Sequence, residues 1–250
     1  MPVVINGIFT NYLRINPQGK KTLIILPGWG QNSYHWLDIS KKIDQSIQII
    51  IIDLPGFGNS QPLKNNPNVP EYSQFLKDFI DKLNLNQPFL LGHSFGGQIA
   101  ADFVIKYPKC INRLILISPA VIREQSFKTK IQISLTKISQ PITKIFPSKI
   151  TQKLLSLLTP TDYHNSNPYQ KNLLKKIVKY DLKDKLHLIK THTLIIWGSE
   201  DHEIPYQGKF LTETISSSNL EVIYGAGHSP HLSHIDKLVK IINCFLTTHH

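Results

Sequence analysis

The sequence predicts an α/β chain: a doubly wound, mostly parallel sheet of about eight strands with an inserted helical segment. Three observations predict it. Short apolar runs recur along the chain, unbroken rather than alternating, as strands covered on both faces require. Stretches of helical period separate them, which implies parallel strands joined by crossover helices. The alternation breaks once, between about Ala120 and Lys190, where no strand signal occurs.

The elements follow in order. Val3-Val4-Ile5 and Phe9 through Ile15 flank Asn6-Gly7, a favoured two-residue hairpin turn. This hairpin is expected at the antiparallel edge of the sheet. Strands are predicted at Thr22–Leu26, Ile47–Asp53, Pro88–Gly92, Arg113–Ser118, Thr193–Trp197 and Leu220–Tyr224. Tyr72, Phe75, Leu76, Phe79, Ile80 and Leu83 form one amphipathic stripe. Ile99, Phe103 and Tyr107 form a second, ended by Pro108. Leu232, Ile235, Leu238, Val239, Ile242 and Phe245 form the last, with His231 and His234 expected on its first turn.

Within the strandless segment, Ile131, Leu135, Ile138, Ile142 and Ile145 keep a helical period interrupted by Pro141 and Pro147. Leu154, Leu155, Leu157 and Leu158 suggest a second helix, and Leu173, Leu174, Ile177 and Val178 a third. The domain reading is a core of residues 1–119 and 191–250 with a helical cap inserted at 120–190.

Composition excludes several classes. With 250 residues and 41% hydrophobic content, one domain with a sizeable core is expected. No apolar run approaches the roughly 20 residues of a membrane span. The beginning, Met1-Pro2-Val3-Val4, lacks the basic and small-residue features of a signal peptide. Only Cys110 and Cys244 occur, outside any metal-ligand spacing, so a reduced, cytoplasmic setting is expected. Net charge is +11, and residues 120–190 hold 14 Lys/Arg against 4 Asp/Glu. Nearly all the excess is therefore local.

The chemistry centres on Gly92-His93-Ser94-Phe95-Gly96-Gly97, which follows a predicted strand and opens a predicted helix. Gly-x-Ser-x-Gly in that setting is a nucleophile elbow: the tight turn projects the serine from the sheet edge, and glycines let strand and helix approach. A serine needs a base. Asp201 follows the Thr193–Trp197 strand, and His228 follows the last strand, so Ser94, Asp201 and His228 all come from one edge of the sheet. Glu200, Glu203 and a position near Glu124 compete with Asp201. His231 and His234 compete with His228. His93 is read as packing and His202 as solvated. A metal cluster of His228, His231 and His234 has no suitable helix face and no acidic ligand. Gly28-Trp29-Gly30 and Gly56-Phe57-Gly58 lack the third glycine of a dinucleotide loop.

Taken together, Leu26-Pro27-Gly28-Trp29-Gly30, Asp53-Leu54-Pro55-Gly56-Phe57-Gly58-Asn59-Ser60, the Ser94 elbow, Ile196-Trp197-Gly198-Ser199-Glu200-Asp201 and Gly227-His228 resemble the α/β-hydrolase superfamily, in particular its serine esterases and lipases with a helical cap. The resemblance runs from Leu23 almost to the end of the chain and is weakest in the cap. It implies the α/β-hydrolase fold. It also implies an oxyanion hole made of the backbone N–H groups of Phe95 and Trp29, and a triad of Ser94, Asp201 and His228.

The chemistry expected is acyl transfer on a carboxylic ester through an acyl-enzyme on Ser94, with neither metal nor cofactor. C–C bond hydrolysis, aminopeptidase, thioesterase and cofactor-free lyase chemistry stay open, as does a non-catalytic ligand-binding role. The partner expected is a small-molecule acyl substrate, not nucleic acid. The basic cap has three readings: a dock for an acidic carrier protein, as in carrier-protein methyl esterases of similar layout; contact with an anionic surface; or solvated helix faces, with Lys128, Lys137 and Lys144 turned to water.

Overall fold

The computed structural model describes residues 1–123 and 166–248. Eight strands form one sheet: β1 (Pro2–Ile5), β2 (Ile8–Ile15), β3 (Lys21–Leu26), β4 (Ile47–Ile52), β5 (Phe89–His93), β6 (Arg113–Ile117), β7 (His192–Gly198) and β8 (Ser218–Ile223). Their spatial order is β1-β2-β4-β3-β5-β6-β7-β8. β2 runs antiparallel to β1 and to β4, and every other pairing is parallel. This is the α/β-hydrolase fold. The first turn is a hairpin because Asn6 and Gly7 both take positive φ, +46° and +78°. That is the geometry of a type I′ turn, and Asn-Gly tolerates it best.

The apolar runs are buried on both faces. Ile24, Leu26, Ile50, Leu90, Leu114, Leu116, Ile195 and Trp197 point to one side. There they meet α2 (Val69–Lys82), α3 (Phe95–Lys106), α4 (Pro168–Ile177) and α5 (Gly208–Thr214). Leu23, Ile25, Ile49, Ile51, Leu91, Ile115 and Ile196 point to the other. There they meet α1 (Leu37–Ser40) with Trp36 before it, and α7 (Ile235–Thr247). Alternate residues of one strand thus serve two cores, which is why no polar position interrupts Ile49 to Ile52.

Local signals set the helix starts. Asn68 caps α2 reciprocally with Glu71, and Asn167 caps α4 reciprocally with Gln170. The helix predicted over Leu173–Val178 is α4, and Leu173 and Ile177 are its buried face. The other two helices predicted in the insertion, and the lysines at 128, 137 and 144, lie outside the described residues.

One expectation is corrected. The final stripe is not a single helix. A four-residue turn, α6 (Pro230–Ser233), precedes α7, and His234 lies between them at φ −131°. Leu232 is consequently exposed, while Leu238, Ile242 and Phe245 keep the buried stripe. His231 sits on α6, and His234 is the N-cap of α7.

The chain leaves β3 toward β4 and later returns to β5 on the other side of β3. The crevice such a reversal opens lies beyond the C-terminal ends of β3 and β5, where open α/β sheets bind ligands. Asp53, buried at the end of β4, ties the loops below it. Its Oδ1 accepts the Ser33 N–H at 2.7 Å, and its Oδ2 accepts the Asn59 N–H and the Asn11 side-chain amide, both at 2.9 Å. Asp53→Ala strands the buried Ser33 amide and should lower stability by about 2 kcal/mol or more. Urea unfolding measures it, and an unchanged midpoint would show that the carboxylate ties nothing.

Candidate active site

Ser94 lies between β5 and α3 with φ +51° and ψ −111°. A non-glycine residue held there carries strain on the order of 1–3 kcal/mol. The surroundings hold it in place. The Ser94 N–H donates to the Ile117 carbonyl at the end of β6, and its own carbonyl accepts from Gln98 and Ala120. Glycines make the turn possible. A Cβ on Gly92 would lie 2.4 Å from the Gly96 oxygen, and one on Gly96 would lie 2.1 Å from the Leu26 oxygen. The second collision refines the sequence reading: Gly96 makes room for the end of β3, not only for β5.

Asp201 and His228 meet. Asp201 Oδ2 accepts from His228 Nδ1 at 2.8 Å, with the two side chains 1% and 8% exposed. Asp201 Oδ1 accepts the backbone N–H groups of Glu203 and Ile204, each at 3.0 Å. Burial pushes the Asp201 carboxyl up. The hydrogen bond and charge of His228 and the Ile204 N–H outweigh that and hold it below its ordinary value. It is therefore an anion at neutral pH and keeps the His228 proton on Nδ1, leaving Nε2 as the acceptor.

The competing acids stand elsewhere. Glu200 is exposed, and its N–H is bonded to the Ala226 carbonyl. Glu203 is 72% exposed and stands 3.8 Å from Nε2, not beside Nδ1. Glu124 lies outside the described residues. His202 is exposed, as expected. Gly198 permits the Asp201 and His228 loops to pass: a Cβ there would lie 2.3 Å from the Gly227 oxygen.

Phe95 is the first residue of α3, so its N–H has no acceptor within the helix. Trp29 lies in the turn closed by the Gln31 N–H donating to the Gly28 carbonyl. The side chains of the two residues meet. The Phe95 ring is the hub of a cluster with Trp29 at 5.8 Å, Phe57 at 6.1 Å and Tyr72 at 5.4 Å between centroids. Tyr169 and Gln170 of α4 dock beside it: Tyr169 bonds Tyr72 of α2 at 2.9 Å, and Gln170 donates to the carbonyl of Gly56 in the loop after β4 at 3.0 Å.

Sequence reasoning missed a buried ring cluster behind His228. His231 stacks on Trp36 at 4.1 Å and 5°, and His93 meets His231 edge-on at 4.7 Å and His228 at 4.9 Å. The only sequence signal was the density of histidines around the site. Neither ring nitrogen of His231 has a hydrogen-bond partner among the described residues. Burial, with the nearby charges of His35 and His228, brings its pKa down to about 3. The unfolded chain then binds a proton that the folded one refuses. Stability is complete above about pH 6.5 and falls with pH between 6.5 and about 3. His231→Phe keeps the stack without the proton and should flatten this slope by about 1.4 kcal/mol per pH unit. Urea unfolding across that range reads it. An unaltered slope would place the proton uptake elsewhere.

Comparison with known proteins agrees with this fold. A family model described as the alpha/beta hydrolase fold matches residues 21–135. The monoacylglycerol lipase ABHD6 of Mus musculus is 26% identical, covering 97% of this chain and 80% of that protein. The 2-hydroxy-6-oxononadienedioate/2-hydroxy-6-oxononatrienedioate hydrolase of Escherichia coli K12 is also 26% identical, covering 92% and 88%. Among solved structures, an esterase from Exiguobacterium antarcticum superposes with TM-score 0.79 at 20% identity, covering 98% of each chain. The meta-cleavage product hydrolase of Pseudomonas fluorescens IP01 superposes with TM-score 0.73 at 18% identity, covering 98% of this chain and 97% of that one. The chain has the α/β-hydrolase fold, and its sequence is similar to members of the α/β-hydrolase superfamily. Within it, the chain is similar both to ester-cleaving and to C–C-cleaving hydrolases.

Proposed function

We propose that the chain is a serine hydrolase that cleaves a carboxylic ester through an acyl-enzyme on Ser94. The observation that carries the reading is the buried Asp201–His228 pair, 2.8 Å apart, at the sheet edge from which the strained Ser94 turn also rises. In this mechanism His228 Nε2 takes the Ser94 Oγ proton as the oxygen attacks the ester carbonyl. The backbone N–H groups of Trp29 and Phe95 stabilise the oxyanion, each contributing about 3 kcal/mol. The proton then passes from Nε2 to the leaving alcohol. Water, deprotonated by the same nitrogen, releases the acid.

The same reading divides the chain into a core of 1–119 and 191–250 and a cap of 120–190 that selects the substrate. The bonds from Tyr169 and Gln170 to Tyr72 and to the loop around Phe57 support it. The substrate is a small acyl compound; the cap's positive charge would speed the encounter only with an anionic one. The two cysteines are free thiols, which favours a cytoplasmic setting. Among the described residues no helix is long and apolar enough to cross a membrane.

A second reading, C–C bond hydrolysis, is favoured by the 26% identity to the Escherichia coli hydrolase. The test is fluorophosphonate labelling together with turnover of p-nitrophenyl esters of increasing chain length and of a vinylogous diketo acid. Labelling with ester turnover supports the ester reading. Labelling with diketo acid turnover alone supports the second. A protein that takes no label is not a serine hydrolase.

A further inference from the structure

His93 precedes the candidate nucleophile, yet it cannot serve as that serine's base. Its ring is buried, and Nε2 stands 2.8 Å from the main-chain carbonyl of His228, 135 residues away in the chain. A carbonyl only accepts, so Nε2 carries the proton and donates it. Nδ1 is then a bare lone pair, and it has no hydrogen-bond partner among the described residues. It faces the loop after β3 at close quarters: a Cβ on Gly28 would come within 2.7 Å of Nδ1 and 3.4 Å of the Ser94 Cβ. The ring is wedged by His231 at 4.7 Å and by Trp36 at 5.9 Å. Burial, with the charges of His231 and His228, keeps its pKa well below the ordinary histidine value, while the His228 carbonyl and Asp201 pull the other way. The neutral donor form therefore persists through the working pH range.

We propose that His93 is a positioning residue that locks together the three segments of the site: the Ser94 turn, of which it is part; the His228 loop, through the Nε2–H bond to the His228 carbonyl; and the Gly28-Trp29 loop, by close packing. The inference rests on the reading of Ser94 and His228 given above. The physical need is plain. The three segments come from β5, β8 and β3, and a serine displaced by about 1 Å from its base costs on the order of 10² in rate. The hydrogen bond holds the backbone of the base itself, so loosening it moves His228 relative to Ser94. The Asp201–His228 bond moves with it, because the Glu200 N–H donating to the Ala226 carbonyl ties their two loops to each other.

The test compares His93→Gln with His93→Met. The two side chains have nearly the same length and shape, and only glutamine offers an N–H to the His228 carbonyl. In His93→Met, kcat and the rate of fluorophosphonate labelling should fall about 10- to 100-fold with KM within about 3-fold of wild type. The acid limb of kcat/KM against pH should stay where it is, because the Asp201 partnership is untouched. His93→Gln should recover most of the rate. If His93→Met does not fold, His93→Asn, too short to reach the carbonyl, takes its place. A donor-less variant with wild-type labelling and kcat overturns the proposal. So does a glutamine variant no faster than methionine, or a displaced acid limb, which would make His93 a titrating participant. A wild-type protein that takes no label defeats the serine reading itself, and this inference with it.

Discussion

Ser94→Ala should abolish ester hydrolysis and fluorophosphonate labelling, with kcat falling by about 10⁶ if the group acts as the nucleophiles of serine proteases do. The fold should persist, because Ser94 is held by its main chain: its N–H bonds to Ile117 and its carbonyl accepts from Gln98 and Ala120, and none of these needs the hydroxyl. Alanine inherits the strained φ of +51° and should leave stability nearly unchanged. Ser94→Gly separates the two properties. Glycine accepts that backbone, so the variant should be as inactive as alanine but more stable by about 1 kcal/mol, the relieved strain less the added chain entropy. Labelling with urea unfolding of both variants decides the matter. Full labelling of Ser94→Ala would remove Ser94 from the reaction, and equal stability of the two would show that the turn is not strained.

Asp201→Asn should lower kcat by about 10⁴, as in serine proteases. The direction follows from the bonds around the carboxylate. Oδ1 holds the N–H groups of Glu203 and Ile204, which only an oxygen can satisfy. An asparagine there keeps its oxygen on those two donors and turns its NH₂ toward His228 Nδ1. The imidazole must then accept at Nδ1 and carry its proton on Nε2, the nitrogen that should receive the serine proton. The loss is thus one of tautomer, and KM should change little. Glu200→Gln and Glu203→Gln, both at exposed side chains, should retain activity within a few fold. Rates of each variant on one p-nitrophenyl ester make the comparison. A large loss at Glu200 with little at Asp201 would transfer the acid to Glu200.

Several features were legible because their cause is local. Ser94 could be found because a strand-to-helix turn this tight excludes a Cβ at Gly92. The hairpin could be found because Asn6-Gly7 accepts two consecutive positive φ values. Strands β3, β4 and β5 were legible as apolar runs because both of their faces are covered. Asp201 was harder to separate from Glu200 and Glu203. All three are acids in one loop, and the choice depends on which of them turns toward a loop 27 residues further on. The break between α6 and α7 escaped for a related reason. The apolar stripe from Leu232 to Phe245 is continuous in helical period, but His231 is drawn onto Trp36, far away in the chain, and the turn that delivers it cannot also continue the helix.

The sequence alone therefore determined the kind of sheet, the place of its edge hairpin, the strained serine turn and the set of residues gathered at one sheet edge. Each of these follows from steric and periodic rules acting over a few residues. Tertiary structure alone decided which acid faces His228, how far Gly96 must yield to β3, and that His93 reaches a carbonyl 135 residues away. A hydrogen bond requires its two groups within about 3 Å, and between distant segments that distance is set by the packing of the whole sheet, not by either segment's own residues.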